Sequence, residues 1–139
     1  DELHHPNDIG LLIPRADFVV STVPETPKTG GYFDHNFFDQ MREGAFFINI
    51  GRGATVVLDD LDSALRSGHL AGAGLDVFEI EPLPEDHPLW KAPGILITPH
   101  VAGEGPYLPE RRTELFIDNC KRFANGEKLI NVVDKNNWF

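Results

Sequence analysis

The chain has 139 residues, 41% of them hydrophobic, which suits one domain or a part of one with a single buried core. Its 22 Asp and Glu outnumber 12 Lys and Arg for a net charge of −10, and no basic cluster interrupts it, which argues against a nucleic-acid partner. The single cysteine, Cys120, excludes an intrachain disulfide and a thiolate zinc cluster.

No apolar run approaches membrane-spanning length and no signal-peptide pattern opens the chain, so no membrane partner and a cytoplasmic location are expected. The opening Asp-Glu-Leu-His-His lacks a Met, a cap or a strand pattern, and the chain reads as part of a longer protein.

In chain order, Asn7 or Asp8 is a candidate cap for a short helix within Pro6 to Arg15, built on Ile9, Leu11, Leu12 and Ile13. Ala16 to Val23 is apolar and β-branched and predicts a buried strand, followed by a Pro-, Thr- and Gly-rich loop from Pro24 to Gly31. Asp34 is placed to cap a helix through Phe37, Phe38 and Met41, with Gly44 ending it.

Ala45 to Ile50 predicts the second strand, stopped by Gly51-Arg52-Gly53. A helix follows over Asp59 to Ser67, with Leu58, Leu61 and Leu65 on one face and Gly68 behind it. Leu70 to Val77 and Ile95 to Thr98 predict the third and fourth strands. Glu110 to Asn125 predicts a last amphipathic helix, with Leu115, Phe116, Cys120 and Phe123 on its apolar side and Cys120 as a small packing residue.

Strands alternating with helices predict an α/β fold with a parallel sheet covered on both faces. Ligands of such sheets lie beyond the carboxyl ends of the strands. That edge carries Thr22-Val23-Pro24, Ile50-Gly51-Arg52, Asp76-Val77 and Thr98-Pro99-His100, so topology brings an arginine, a carboxylate and a histidine together. A long acidic, Pro-rich connection from Asp76 to Gly103 joins two of these ends, and a connection of that length is a candidate functional segment.

Arg52, flanked by glycines with free backbone dihedrals, presents a planar fork suited to a carboxylate. His100 follows Pro99 at a strand end and becomes a general acid/base if a carboxylate pairs with it. Glu81 is preferred to Glu79 as that partner, because Pro82 restricts its backbone. Asp76 reads either as a cap or as an acceptor for a ligand amide or hydroxyl. His4, His5, His35, His69 and His87 read as surface residues, and Glu85 and Asp86 as solvated charge rather than a metal site.

Five segments carry a resemblance. They are Phe47-Ile-Asn-Ile-Gly-Arg-Gly53, Leu61 to Val77, Phe78-Glu-Ile-Glu-Pro-Leu-Pro84, Pro88-Leu-Trp90 and Ile97-Thr-Pro-His-Val-Ala-Gly103. In order and spacing they resemble the D-isomer-specific 2-hydroxyacid dehydrogenase family, from about Ala16 through Asn131 to Asp134.

The resemblance implies a partial Rossmann-like doubly wound parallel sheet with flanking helices. It implies an oxidoreductase moving a hydride between NAD or NADP and a small 2-keto or 2-hydroxy acid of the glyoxylate/hydroxypyruvate, D-lactate or phosphoglycerate kind. Arg52 would hold the substrate carboxylate, His100 would act as acid/base, and Glu81 would hydrogen-bond the histidine and favour its protonated form. Replacing Glu81 by Gln is then expected to narrow the pH range of reduction from the alkaline side.

By the same resemblance Asp76 would bind the nicotinamide carboxamide, and Val23, Pro24, Ile50, Gly51, Arg52, His100 and Gly103 would line the cofactor. A homodimer is implied as well. The family also includes a corepressor branch, so a non-catalytic, NAD-sensing binding module is the alternative.

One departure stands out: no Gly-x-Gly-x-x-Gly turn occurs between a strand and a helix, since Gly72-Ala-Gly74 lies within a predicted strand. Residues 1–104 are therefore expected to form the C-terminal portion of a dinucleotide-binding domain. Residues 105–139 are expected to form a helix and tail returning toward a substrate domain encoded upstream. On that expectation the isolated chain binds dinucleotide weakly and turns over little.

Overall fold

The computed structural model describes residues 2–136. The chain divides into two compact units, Asp1–His100 and Val101–Phe139. Residue 1 and residues 137–139, the outer ends of the two expected portions, lie outside the described residues.

The first unit opens with a 3-10 turn at Pro6–Asp8, a single-turn helix α1 (Ile9–Leu12) and another 3-10 turn at Ile13–Arg15. The cap differs from expectation. His5 accepts the Asn7 amide through Nδ1 at 3.2 Å, whereas Asp8 makes no side-chain cap.

The unit continues through β1 (Phe18–Ser21), α2 (His35–Gln40), β2 (Phe46–Asn49), α3 (Leu58–Arg66), β3 (Gly72–Leu75) and β4 (Ile95–Ile97). All four strands run parallel in the order β1-β2-β3-β4. The predicted α/β class and parallel sheet are what is found.

The strands are shorter than the apolar runs that announced them. Val23 is half-buried against the core and Val77 is buried, so the runs extend into apolar residues that lie outside the strands. Helix α2 begins where Asp34 Oδ1 accepts the Phe37 amide at 3.0 Å, and it stops at Gln40, before Gly44. Helix α3 is followed by Gly68 at φ +78°, a left-handed terminus that suits glycine.

Side chains alternate across the sheet. Val19, Ser21, Phe47, Asn49, Ala73, Leu75, Ile95 and Ile97 occupy one set of register rows and are buried or half-buried. Phe18, Val20, Phe46 and Leu96 occupy the alternate rows and are exposed, at 62% for Phe18 and 66% for Leu96. Within this unit one set of rows is thus packed against the core and the alternate set is left open. Phe18 and Phe46 stack on the open face with ring centroids 5.2 Å apart.

The covered face holds an aromatic cluster. Phe33, Phe37, Phe38 and Phe47 meet at centroid distances between 4.7 and 6.5 Å, mostly edge to face. Leu61 and Leu65 of α3 and Leu75 of β3 complete a core that fixes β2 and β3, the strands leading to Arg52 and Asp76.

Between β3 and β4, within the connection expected to be loop, lies a 3-10 turn at Pro88–Lys91. His87 caps it by accepting the Leu89 amide at 3.3 Å, and Trp90 Nε1 donates to the Pro84 carbonyl at 2.8 Å. His69 is also structural rather than a plain surface residue: its Nε2 lies 3.0 Å from the Phe38 carbonyl at the end of α2.

The second unit consists of α4 (Leu108–Ala124) and its tail. The helix starts two residues earlier than predicted, because Pro109 is tolerated in its first turn. Asn119 binds Ile130 in both directions, Nδ2 to the carbonyl at 3.0 Å and Oδ1 to the amide at 2.9 Å, tying tail to helix. Cys120 is exposed, contrary to its expected packing role. Among the described residues no helix is long and apolar enough to cross a membrane.

Candidate functional site

The register places the carboxyl ends of β2, β3 and β4 side by side. The Asp76 amide donates to the Asn49 carbonyl and the Thr98 amide to the Leu75 carbonyl, each at 3.0 Å. The loops that leave these ends carry Arg52, Asp76 to Glu81, and Thr98 to His100.

His100 and Glu81 meet directly. His100 Nδ1 lies 2.7 Å from Glu81 Oε2, with side chains 47% and 37% exposed. The other carboxylate oxygen, Oε1, accepts the Phe78 amide at 2.9 Å. Both oxygens of Glu81 are therefore engaged, and the ring of His100 is oriented by a carboxylate that is itself oriented by backbone. The preference for Glu81 over Glu79 is what the geometry shows.

His100 adopts φ 55°, in the left-handed region that non-glycine residues rarely occupy. The Glu81–Pro82 peptide is cis. The Glu81 carboxyl is held below the ordinary carboxylate range. The hydrogen bond to His100 is the largest cause and the Phe78 amide the next. Burial opposes them, and the charges of His100 and Arg52 add to the lowering.

Arg52 sits on the turn after β2 with extended backbone, φ −141° and ψ 141°, and its Nη1 donates to the Gly51 carbonyl at 2.7 Å. The flanking glycines serve a purpose other than the one expected. Neither takes a positive φ, and each is required by close approach. A Cβ on Gly53 would lie 1.9 Å from the Phe78 carbonyl carbon, and one on Gly51 would lie 2.6 Å from the Val23 oxygen. The turn carrying Arg52 is thus pressed against the Phe78 segment that holds Glu81.

Asp76 is buried and accepts a hydrogen bond from Thr98 Oγ1 at 2.6 Å, which joins the ends of β3 and β4. Val23, Pro24, Ile50 and Gly51 follow the ends of β1 and β2, and Ile50 is exposed. Gly103 belongs to the second unit. A cavity of about 520 Å³ opens beside the pair, lined by Phe78, Glu81, Leu83, Trp90, Ile97 and His100.

Three further side chains shape the site without a clear motif. Thr98 carries only the signal of a strand end. Asn49 and Thr55 are fully buried and both bond the Arg52 carbonyl, at 3.1 and 2.6 Å. A signal for Asn49 was present: a carboxamide inside the apolar run Phe46-Phe-Ile-Asn-Ile50 needs a specific partner.

A parallel α/β sheet with an arginine, a buried carboxylate and a Glu–His pair at its carboxyl edge defines a class, and sequence comparison identifies it. The model of the D-isomer specific 2-hydroxyacid dehydrogenase NAD binding domain matches residues 2–102, and the chain belongs to that family.

It is 38% identical over 131 residues to glyoxylate/hydroxypyruvate reductase A of Photorhabdus laumondii, covering 94% of this chain and 41% of that protein. Against the reductase of the same name from Serratia proteamaculans the identity is 40% over 123 residues, covering 88% of this chain and 39% of the relative. The chain therefore spans about two fifths of the length of these curated relatives.

Among solved structures it is similar to the D-isomer specific 2-hydroxyacid dehydrogenase of Xanthobacter autotrophicus in complex with NADPH and MES. The TM-score is 0.86 at 38% identity, covering 95% of this chain and 54% of that one. It is also similar to the NADPH-dependent glyoxylate/hydroxypyruvate reductase of Sinorhizobium meliloti in complex with NADP and sulfate. There the TM-score is 0.89 at 34% identity, covering 98% and 44%.

Proposed function

We propose that this protein transfers a hydride between a nicotinamide dinucleotide, NAD or NADP, and a small 2-oxo or 2-hydroxy acid of the glyoxylate/hydroxypyruvate kind. The observation that carries the reading is the Glu81–His100 contact of 2.7 Å at the same sheet edge as Arg52. The names of the relatives described above support the substrate class.

The strand ends fit the nicotinamide end of such a cofactor. Asp76 supplies a carboxylate that accepts amide N–H, Val23 and Ile50 supply apolar surface, and Ser21 Oγ is buried at the end of β1 without a hydrogen-bond partner. When bound, the nicotinamide supplies the site that gives or takes the hydride.

The residues do the rest. Arg52 grips the substrate carboxylate with its two-pronged donor set and stabilises charge on the neighbouring carbonyl oxygen. His100 has Nδ1 held by Glu81, so Nε2 is the nitrogen that faces substrate. In reduction the Nε2 proton moves to the carbonyl oxygen as the carbonyl carbon gains the hydride, and in oxidation both return. Glu81 keeps its negative charge throughout and pairs with the imidazolium. Asp76 and Thr98 orient the cofactor's carboxamide end.

The test is cofactor consumption with glyoxylate or hydroxypyruvate, in separate NADH and NADPH arms. His100→Gln is expected to lower the rate by about 100-fold or more. Absence of consumption in both arms, with dinucleotide binding retained, would contradict the enzymatic reading and favour a cofactor-sensing module.

A further inference from the structure

Asn49 is a fully buried polar side chain at the end of an apolar strand, in register with Ser21 and Leu75 on the covered face of the sheet. A carboxamide in that place is destabilising unless both of its ends are bonded. Both are. Oδ1 accepts the Gly51 amide at 3.0 Å and Nδ2 donates to the Arg52 carbonyl at 3.1 Å. Thr55, equally buried, donates its hydroxyl to the same carbonyl at 2.6 Å. The backbone on either side of the Arg52 side chain is thereby fixed from within, while Gly51 and Gly53 lock it against Val23 and Phe78 from outside.

The residue type matters. Aspartate in this place would keep the acceptor for Gly51 but set a negative oxygen against the Arg52 carbonyl. Serine would be too short to span both groups. Only a side chain with an acceptor and a donor on one planar group fits the turn as built.

We propose that Asn49 is a positioning residue for Arg52: its buried carboxamide sets the backbone from which the guanidinium reaches a 2-oxo carboxylate, and it influences substrate binding through that arginine alone. The proposal rests on the reading of Arg52 as the carboxylate-binding group.

The experiment is a titration of the full chain with oxamate, an unreactive isostere of a small 2-oxo acid, followed by NMR. The reporters are Arg52 Nε–H and the Gly51 and Gly53 amides. Asn49→Ala, Asn49→Asp and Thr55→Val are compared in the native and Arg52→Lys backgrounds.

The expected result is that wild-type Arg52 responds to oxamate and that either Asn49 substitution weakens binding at least tenfold. Thr55→Val, which removes the second donor at nearly constant volume, weakens it less. In the Arg52→Lys background these losses disappear, because the residue through which Asn49 acts is gone. Faster hydrogen exchange at the Gly51 amide accompanies the loss of Asn49.

Unchanged oxamate affinity in Asn49→Ala, beside a responding wild type, would overturn the proposal. So would an equal loss in both backgrounds, which is the mark of general weakening of the fold. If wild-type Arg52 gives no response, the reading of Arg52 itself fails and the proposal falls with it. Should the Asn49 variants not fold, Thr55→Val decides: reduced affinity abolished by Arg52→Lys supports positioning through Arg52, and unchanged affinity overturns it.

Discussion

Glu81 is the residue on which the candidate site turns, since it binds His100 with one oxygen and the Phe78 amide with the other. Its carboxyl is held below its ordinary range, first by the hydrogen bond to His100 and then by Phe78. A carboxylate depressed in the folded state contributes stability above its unfolded value and loses it as pH falls through the lowered folded value. Acidification below the ordinary carboxylate range is therefore expected to destabilise the wild type, and Glu81→Gln should be flatter there. Both partners are more than a third exposed, so solvent screening keeps the effect under about 1 kcal/mol. Urea unfolding from neutral to acid pH measures it, and an identical acid slope in both proteins would break the link.

Gly53 is the second decisive residue. A methyl group there would collide with the Phe78 backbone at 1.9 Å, with no flexible side chain to give way. Gly53→Ala is expected to destabilise by about 1–3 kcal/mol and to separate the Arg52 turn from the Glu81 loop. Thermal melting and the Phe78 amide shift report the two effects. A variant with native stability and an unmoved Phe78 amide would show that the turn is not pressed against that segment.

Among the elements, β2 shows how the two faces of the sheet differ. Phe47 is 0% exposed within the aromatic cluster, so Phe47→Ala is expected to cost about 3–5 kcal/mol. Leu96 of β4 lies on the open face, and Leu96→Ser should stay within about 0.5 kcal/mol. Chemical denaturation of the pair measures the asymmetry, and similar losses at both positions would mean that the open face is covered in solution.

Much of this was legible in advance, because apolar runs separated by Gly, Pro and Asp carry the alternation of strand and helix directly. The strand-end rule brought Arg52, Asp76 and His100 to one edge, and Pro82 singled out Glu81. Strand length was not legible, since Val23, half-buried, and Val77, buried, lie in loops and look the same in a sequence. The role of the glycines was misjudged, as close approach depends on which backbone lies opposite. Asn49 shows only as a carboxamide in an apolar run and Thr55 not at all, because their partners are backbone groups that every turn possesses.

For the molecule as a whole, family membership rests on residues 2–102, and the chain spans about two fifths of the curated relatives' length. What those residues assemble at one sheet edge is an arginine and a histidine paired with a glutamate. Under the proposed function that set serves hydride transfer to a 2-oxo acid. The most direct test therefore detects the transfer itself rather than its rate. Glyoxylate is incubated with the chain and NADH or NADPH deuterated at the transferring position, and the glycolate formed is analysed for deuterium at C2. Labelled glycolate from the wild type, and its loss in His100→Gln and Arg52→Gln, is the predicted result. No label from the wild type with either cofactor, or equal label from the His100 variant, would contradict it.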